Sequence, residues 1–334
     1  MKNKMKHMRV SALLVILFIM IMMLSGCGET KSSQDEKLVV RVGAMSGPTA
    51  MGMVKMMQDA ESGNYKQIYK FADLSTDPST FVAPLTKGEI DIAAVPANLA
   101  SVIYNNTDGK IQVIAVNNLG VLNIVERGET ITGIKDLAGK KIYATGQGAT
   151  PEYTLRHILK KNDIDPDKDL TIQWCADTTE ALSYVSADEE AIAMLPQPFA
   201  TAAMKQTEDL RIAIDLNDAW GEIEPDCDII TGVVVARTEF IESYPDAVTT
   251  FLKDYEESMK FTNENAKEAS ELIASYGIVA KAPIAEQAIP GCHLMFIKGQ
   301  EMKTKISGYL QILFDENPAS IGGSLPEDDF YYGL

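Results

Sequence analysis

Two proline-bearing strand-to-helix junctions occur in the first part of this 334-residue chain and recur, in the same order, about a hundred residues later. No other feature constrains the fold as much. In the first copy, Leu38 to Val42 is a short β-branched run that passes through Gly43-Ala44-Met45 into Ser46-Gly47-Pro48-Thr49, after which Ala50, Met53, Val54 and Met57 follow helical spacing. Ile90 to Val95 is a second strand, broken by Pro96 before Ala97-Asn98-Leu99-Ala100. In the second copy, Lys141 to Ala144 leads through Thr145-Gly146-Gln147-Gly148 into Ala149-Thr150-Pro151-Glu152, and Ala191 to Leu195 is broken by Pro196-Gln197-Pro198 before Phe199. Pro48 and Pro96 are 48 residues apart, Pro151 and Pro198 47. Proline is tolerated in a first helical turn because the N–H it lacks would have no intrahelical partner there. Thr150 reads as an N-cap with Pro151 at the first helical position.

A repeat on this scale, in a chain too long for one core, predicts two α/β lobes. Ile68 to Ala72 and Ile111 to Asn117 supply further strands to the first, Leu170 to Trp174 and Ile212 to Leu216 to the second. Alternation with helices predicts mainly parallel sheets covered on both faces. Val121 to Val125 should carry the chain into the second lobe and Ile229 to Ala236 back. Lobe 1 is then residues 38–122 plus 237–334 and lobe 2 is 123–236, joined by a double-crossover hinge. From Thr238 on, helical spacing prevails and should complete lobe 1.

The amino terminus sets the location. Lys2, Lys4, Lys6 and Arg9 precede an apolar run from Ala12 to Leu24, which is 13 residues long. A bilayer-spanning helix needs about 20, so residues 1–26 read as a signal peptide. Leu24-Ser25-Gly26-Cys27 resembles a bacterial lipobox, implying cleavage before Cys27, acylation of its sulfur by palmitate or a similar chain, and a place on the extracytoplasmic face of the cell membrane. An uncleaved signal anchor would put the domain on the same side. Residues 27–37 form the lipidated tether, too polar to join a core. The chain carries 30 basic and 47 acidic residues, a net charge of −17, which argues against nucleic acid as a partner. With Cys27 acylated, Cys175, Cys227 and Cys292 remain, an odd and widely spaced set that shows neither a disulfide framework nor a metal motif. Cys292-His293 reads as a packed core turn. No cofactor or metal is expected.

Asp136-Leu-Ala-Gly-Lys-Lys141 followed by Gly148-Ala-Thr-Pro-Glu-Tyr153 resembles a stretch of the nitrate/sulfonate/taurine-type binding proteins and their thiamine-pyrimidine-precursor relatives. Lys87-Gly-Glu-Ile-Asp-Ile-Ala93, Leu195-Pro-Gln-Pro-Phe199 and Glu239-Phe-Ile-Glu-Ser-Tyr-Pro-Asp246 fall in that family's order, so the resemblance runs from Leu38 to the carboxyl end. It implies a type II periplasmic-binding fold that closes on a small organic or anionic solute and delivers it to an ABC permease and its ATPase. Such a receptor is expected to be a monomer.

In open parallel sheets the ligand crevice lies at the carboxyl ends of the strands, where all four junctions fall. Four helix N-termini would then offer unpaired N–H groups to one cleft. Ser46, Gly47, Pro48 and Thr49 are expected on one wall with Asn98 beside them, and Gly148, Ala149 and Thr150 on the other. Gln197 stands where the family often has Glu; an amide brings no charge, which disfavours a strongly cationic solute. Gln197 reads equally as a surface turn residue. Trp220 suits either stacking on a planar solute or packing, Glu152 suits its own helix dipole, and Met51 to Met57 suit a core.

Two other functions compete. A solute-sensing surface lipoprotein would keep the same cleft. An enzyme related to pyrimidine-precursor synthases would need acid–base groups, yet His157 reads as exterior and neither His157 nor His293 has a carboxylate or Cys at catalytic spacing.

Overall fold

The computed structural model describes residues 37–334. Cys27, the expected signal peptide and all of the expected tether but Lys37 lie outside the described residues. Four strands come first: β1 (Val39–Ala44), β2 (Ile68–Phe71), β3 (Ile92–Pro96) and β4 (Ile111–Asn118). A second run follows: β5 (Leu122–Arg127), β6 (Lys141–Ala144), β7 (Thr171–Trp174), β8 (Ile192–Pro196) and β9 (Leu210–Asp215). β10 (Gly232–Arg237) and β11 (Leu294–Ile297) close the list.

These strands form two sheets, ordered β11-β4-β10-β3-β1-β2 and β7-β6-β8-β5-β9. Without β11 the two orders are the same: strand, neighbour, strand, crossing strand, last strand. The repeat in the sequence is thus a repeat of topology. β1 pairs in parallel with β2 and β3, and β6 with β7 and β8. The strand that enters each lobe from the other runs antiparallel between two parallel ones: β10 between β3 and β4, β5 between β8 and β9. The expectation of mainly parallel sheets is corrected on this point. A chain arriving from the opposite lobe comes in at the carboxyl edge of the sheet and can only run backwards through it.

The return boundary also moves. Gly232 to Ala236 belong to the six-stranded sheet, so the chain has left lobe 2 before Gly232, not at 236. The outward crossing is the short Leu119-Gly120-Val121 segment between β4 and β5.

Central β3 is buried along Ile92-Ala93-Ala94-Val95, and alternate residues face two separate apolar layers. Val234 and Ala236 join Met51, Met56, Phe251 and Tyr255 on one face; Val233 and Val235 join Ile103, Ile306 and Leu310 on the other. The methionines after Pro48 are core, as expected. The second layer does not stop at the lobe boundary, for it continues through Leu155, Ile158 and Trp220 of lobe 2. Residues Leu38–Leu334 therefore cluster as one unit.

The carboxyl-terminal region differs from expectation in two ways. It contributes a strand, β11, beside β4. Its last long helix, Gly299–Glu316, packs on helix Thr150–Lys161 of lobe 2 as well as on β4, and so does more than complete lobe 1.

Candidate functional site

Each junction is held by backbone contacts that its own sequence dictates. After β1, the Met45 N–H donates to the Ala94 carbonyl at 2.9 Å and the Ser46 N–H to the Ser75 carbonyl at 2.8 Å. Gly47 has φ 103°, which suits glycine alone, and Pro48 opens a helix of only four residues, Pro48–Met51. That single turn carries far less dipole than the full helix N-terminus expected there. Thr49 is buried, and its carbonyl accepts from Asn117 Nδ2 at 3.0 Å, which fastens the loop to the end of β4. After β3, helix Ala97–Asn106 places Asn98 in its first turn. Asn98 Nδ2 donates to the Ser320 carbonyl at 3.3 Å.

In lobe 2, Gly146 and Gly148 both have positive φ, 83° and 73°. The Gly148 N–H donates to Glu152 Oε2 at 2.7 Å, and Arg156 Nε to Glu152 Oε1 at 2.8 Å. Helix Thr150–Lys161 starts one residue before the expected point, with Ala149 as the capping residue and no side-chain cap bond. Thr150 is not the N-cap. Glu152 does the capping by reaching back to the loop, as its place in the first turn suggests. Gln197 is 4% exposed, and its Oε1 accepts from Thr201 Oγ1 at 2.8 Å while its N–H donates to the Val121 carbonyl at 2.8 Å. It is not a surface turn residue.

The β3 and β8 junctions meet at the crossings. Pro96 is the register partner of Gly232, the first residue of β10, and Pro196 that of Leu122, the first residue of β5. Each crossing strand therefore begins beside the junction proline of the lobe it enters. The β1 and β6 junctions, which carry the Ser46–Thr49 and Gly148–Thr150 loops, lie one strand farther along the same carboxyl edges of the two sheets.

His293 and several residues the sequence does not single out link the lobes. His293 Nδ1 lies 2.5 Å from the Gly120 carbonyl, the Leu119 N–H donates to the His293 carbonyl at 3.1 Å, and His293 Nε2 lies 3.7 Å from Asp215 Oδ2. Asp215 Oδ1 accepts from the Asn217 N–H at 2.8 Å, and Asn217 Oδ1 from the Gly120 N–H at 3.1 Å. This ring encircles the outward crossing. Burial lifts the Asp215 carboxyl above the usual carboxylate range, against the pull of the Asn217 N–H and His293. Cys292 is core, as expected of the Cys292-His293 turn, but His293 is a hinge residue.

On the far flank, Thr154 Oγ1 lies 3.2 Å from Tyr309 Oη, Asn317 Nδ2 donates to Tyr153 Oη at 2.7 Å, and Lys160 pairs with Glu316 at 2.7 Å. Trp220 is 1% exposed, donates Nε1–H to the Cys227 carbonyl at 2.7 Å, and stands edge-on to Tyr309. It packs and does not face a cleft. His157, expected on the exterior, is buried against the Trp220 ring with Nε2 2.9 Å from Glu224 Oε1. Lys161 Nζ lies 2.6 Å from the same oxygen, and Lys161, then His157, hold the Glu224 carboxyl below its ordinary value against the effect of burial. Among the described residues no cluster of three or more His, Cys, Asp or Glu side chains is placed to hold a metal ion. None of their helices is long and apolar enough to cross a membrane.

Residues 123–269 match the family model described as NMT1/THI5 like. No curated protein matches the sequence. Among solved structures, one from Parabacteroides distasonis described as an ABC transporter is similar at 22% identity, with a TM-score of 0.75, over 89% of this chain and 99% of that one. The periplasmic aliphatic sulphonate binding protein SsuA of Escherichia coli is similar at 15% identity and a TM-score of 0.68, over 88% of this chain and 96% of its own. The alkanesulfonate-binding protein SsuA of Xanthomonas axonopodis pv. citri, solved with MOPS bound, gives 12% identity and 0.60 over 87% and 96%. The two-lobed architecture is that of the periplasmic binding proteins.

Proposed function

From a chain that carries an NMT1/THI5-like domain over residues 123–269 and the fold of the periplasmic binding proteins, we propose a receptor that captures a small organic or anionic solute between its lobes and hands it to an ABC permease. The supporting observation is the pairing of Pro96 with Gly232 and of Pro196 with Leu122. A rotation at the crossings changes the separation of the walls directly, and a solute touching both walls stabilises the closed form. Ser46 to Thr49 and Asn98 hold it from one side, Gly148 to Thr150 from the other. Gln197 lies beneath the second wall, where its carbonyl oxygen caps the following helix.

The solute carries a hydrogen-bond-accepting or anionic part. Helix Thr150–Lys161 has 12 residues and begins behind Gly148; such ends favour negative charge, part of which Glu152 already supplies at the Gly148 N–H. The sulfonates named for the similar structures fit this description. The protein performs no catalysis on this reading: His157 is engaged by Glu224 and Trp220, and His293 by the hinge. Cys27 carries the lipid that holds the monomeric receptor at the membrane.

A thermal-shift screen of the protein lacking residues 1–27 against aliphatic sulfonates, nitrate, pyrimidines and amines tests the proposal. A saturable rise in Tm with no turnover supports a receptor. Product formation sinks it. Mass measurement of the amino-terminal peptide from membranes tests the anchor separately, with acylated Cys27 as the expected result.

A further inference from the structure

After helix Gly299–Glu316 the chain turns through Asn317–Ile321, and that turn touches lobe 2 at its start and lobe 1 at its end. At its start Asn317 Nδ2 donates to Tyr153 Oη at 2.7 Å, and three residues later the Ser320 carbonyl accepts from Asn98 Nδ2 at 3.3 Å. Tyr153 and Asn98 lie in the first turns of helices Thr150–Lys161 and Ala97–Asn106, one in each lobe. Lobe 1 holds the turn firmly. Ser101 Oγ donates to the Ile321 carbonyl at 2.8 Å and Asn105 Nδ2 to the same oxygen at 2.9 Å, so Asn98, Ser101 and Asn105 form one polar stripe along their helix. The turn is also rigid in itself: Asn317 Oδ1 accepts from the Ala319 N–H at 3.1 Å, Ser320 Oγ donates to the Leu313 carbonyl at 3.3 Å, and Ile321 is fully buried. Gly322 ends it at φ 92°, where a side chain would press on Val102 Cα at 3.1 Å.

We propose that the Asn317–Ile321 turn is the side wall of the solute cleft and the element that positions Asn98, a role that rests on the solute-receptor reading. A solute lying between Asn98 and Thr150 has this turn along one flank. The turn fixes the chemistry of that flank too, because Asn98 uses one N–H on the Ser320 carbonyl and keeps its second N–H for an accepting group of the solute. The wall travels with lobe 1, and the Asn317–Tyr153 bond is its link to lobe 2. Opening the cleft lengthens that link first.

The test needs no solute to begin with. Peptide-resolved maleimide labelling of the full chain compares N98C with T150C, each with and without Asn317→Gly. A wall makes N98C label about tenfold more slowly than T150C, since labelling waits on local opening, and N317G speeds N98C while leaving T150C unchanged. Cys227 and Cys292, whose thiols burial pushes up to about 12, serve as slow internal references. Equal rates at the two sites, or no response to N317G, overturns the proposal. Should N317G fail to fold, Tyr153→Phe, which removes only the bond to Asn317, carries the same expectation. In a second arm, 1-propanesulfonate and 1-octanesulfonate are titrated: N317G should gain on the longer probe relative to the shorter, and an unchanged ratio counts against the wall. A protein that binds neither probe overturns the sulfonate reading of the solute, and the labelling rates then decide the wall alone.

Discussion

The hydroxyl of Tyr309 stands 3.2 Å from that of Thr154, although one belongs to the carboxyl-terminal helix and the other to the helix that carries the Gly148–Thr150 loop. Tyr309 is fully buried, and burial drives its phenol pKa far above the ordinary value. Tyr309→Phe should cost about 1 kcal/mol, the net worth of one hydrogen bond, and Tyr309→Ala about 3–5 kcal/mol through the cavity it leaves. Urea melts followed in both lobes check this. Because the apolar layer is continuous across the lobes, both variants should unfold in a single transition, and two separated transitions would contradict that continuity.

Thr150 separates affinity from stability. It makes no capping bond, so Thr150→Trp should spare the roughly 1 kcal/mol that loss of a side-chain cap costs and leave Tm nearly unchanged. Solute affinity should be lost, since the indole would fill the space before the helix. Calorimetric titration with whichever solute the screen identifies, together with Tm, checks both halves. Retained affinity with a large fall in Tm would put Thr150 outside the cleft.

Asp91 governs acid stability in lobe 1. Burial alone would raise its pKa, but Arg41, through its side chain and N–H, and Arg237 hold it below the usual carboxylate range. The contacts are short: Arg41 Nε to Oδ2 2.8 Å, Arg41 N to Oδ2 2.9 Å, Arg237 Nη2 to Oδ1 3.0 Å. A carboxyl depressed on folding adds stability that is fully present above its unfolded pKa of about 3.9 and disappears as pH falls through the folded value. Asp91→Asn should therefore cost about 3 kcal/mol at neutral pH, the lower end for a buried pair because the Arg41 side chain is 42% exposed. The difference from wild type should shrink below about pH 4. Denaturation measured at pH 7 and pH 3 tests this, and an undiminished gap at pH 3 would refute it.

Asp215 carries the opposite sign. Its carboxyl is raised by burial, so ionisation costs stability as pH rises through the folded value, and that cost is absent below the unfolded pKa. Asp215→Asn keeps an oxygen for the Asn217 N–H and removes the buried charge. The variant should equal or exceed wild type in stability at pH 7 and converge with it in acid, as thermal melts across pH would show. Lower stability at neutral pH would mean that the contact with His293 outweighs desolvation.

What the sequence revealed and what it hid divide by range. Lys141 to Ala144 reads as a strand to the residue, because the Ile142-Tyr143 pair and the glycines that flank it, Gly139 and Gly146, are local signals. The direction of β5 and β10 is not local, since it depends on which lobe the chain has just left. Gln197 is ambiguous as a letter and becomes buried through its capping of Thr201 and its place beside Val121. His157 misleads because the groups that cover it, Trp220 and Glu224, arrive 63 and 67 residues later. Asn98 illustrates the limit most clearly: its partner, the Ser320 carbonyl, is a backbone atom 222 residues away, and no side-chain pattern announces it.

The strand exchange between the sheets also sets an order of assembly. Lobe 2 takes all five of its strands from one continuous stretch, Leu122 to Asp215. Lobe 1 has β3 and β4 in hand early but cannot join them, because β10 lies between them and comes only after lobe 2 has been made. A chain emerging from its amino end holds two unpaired strand edges until Gly232 to Arg237 arrives, and such edges recruit foreign strands. The second lobe is therefore the one that can mature first, and the first must be kept apart from its neighbours until the second has been made.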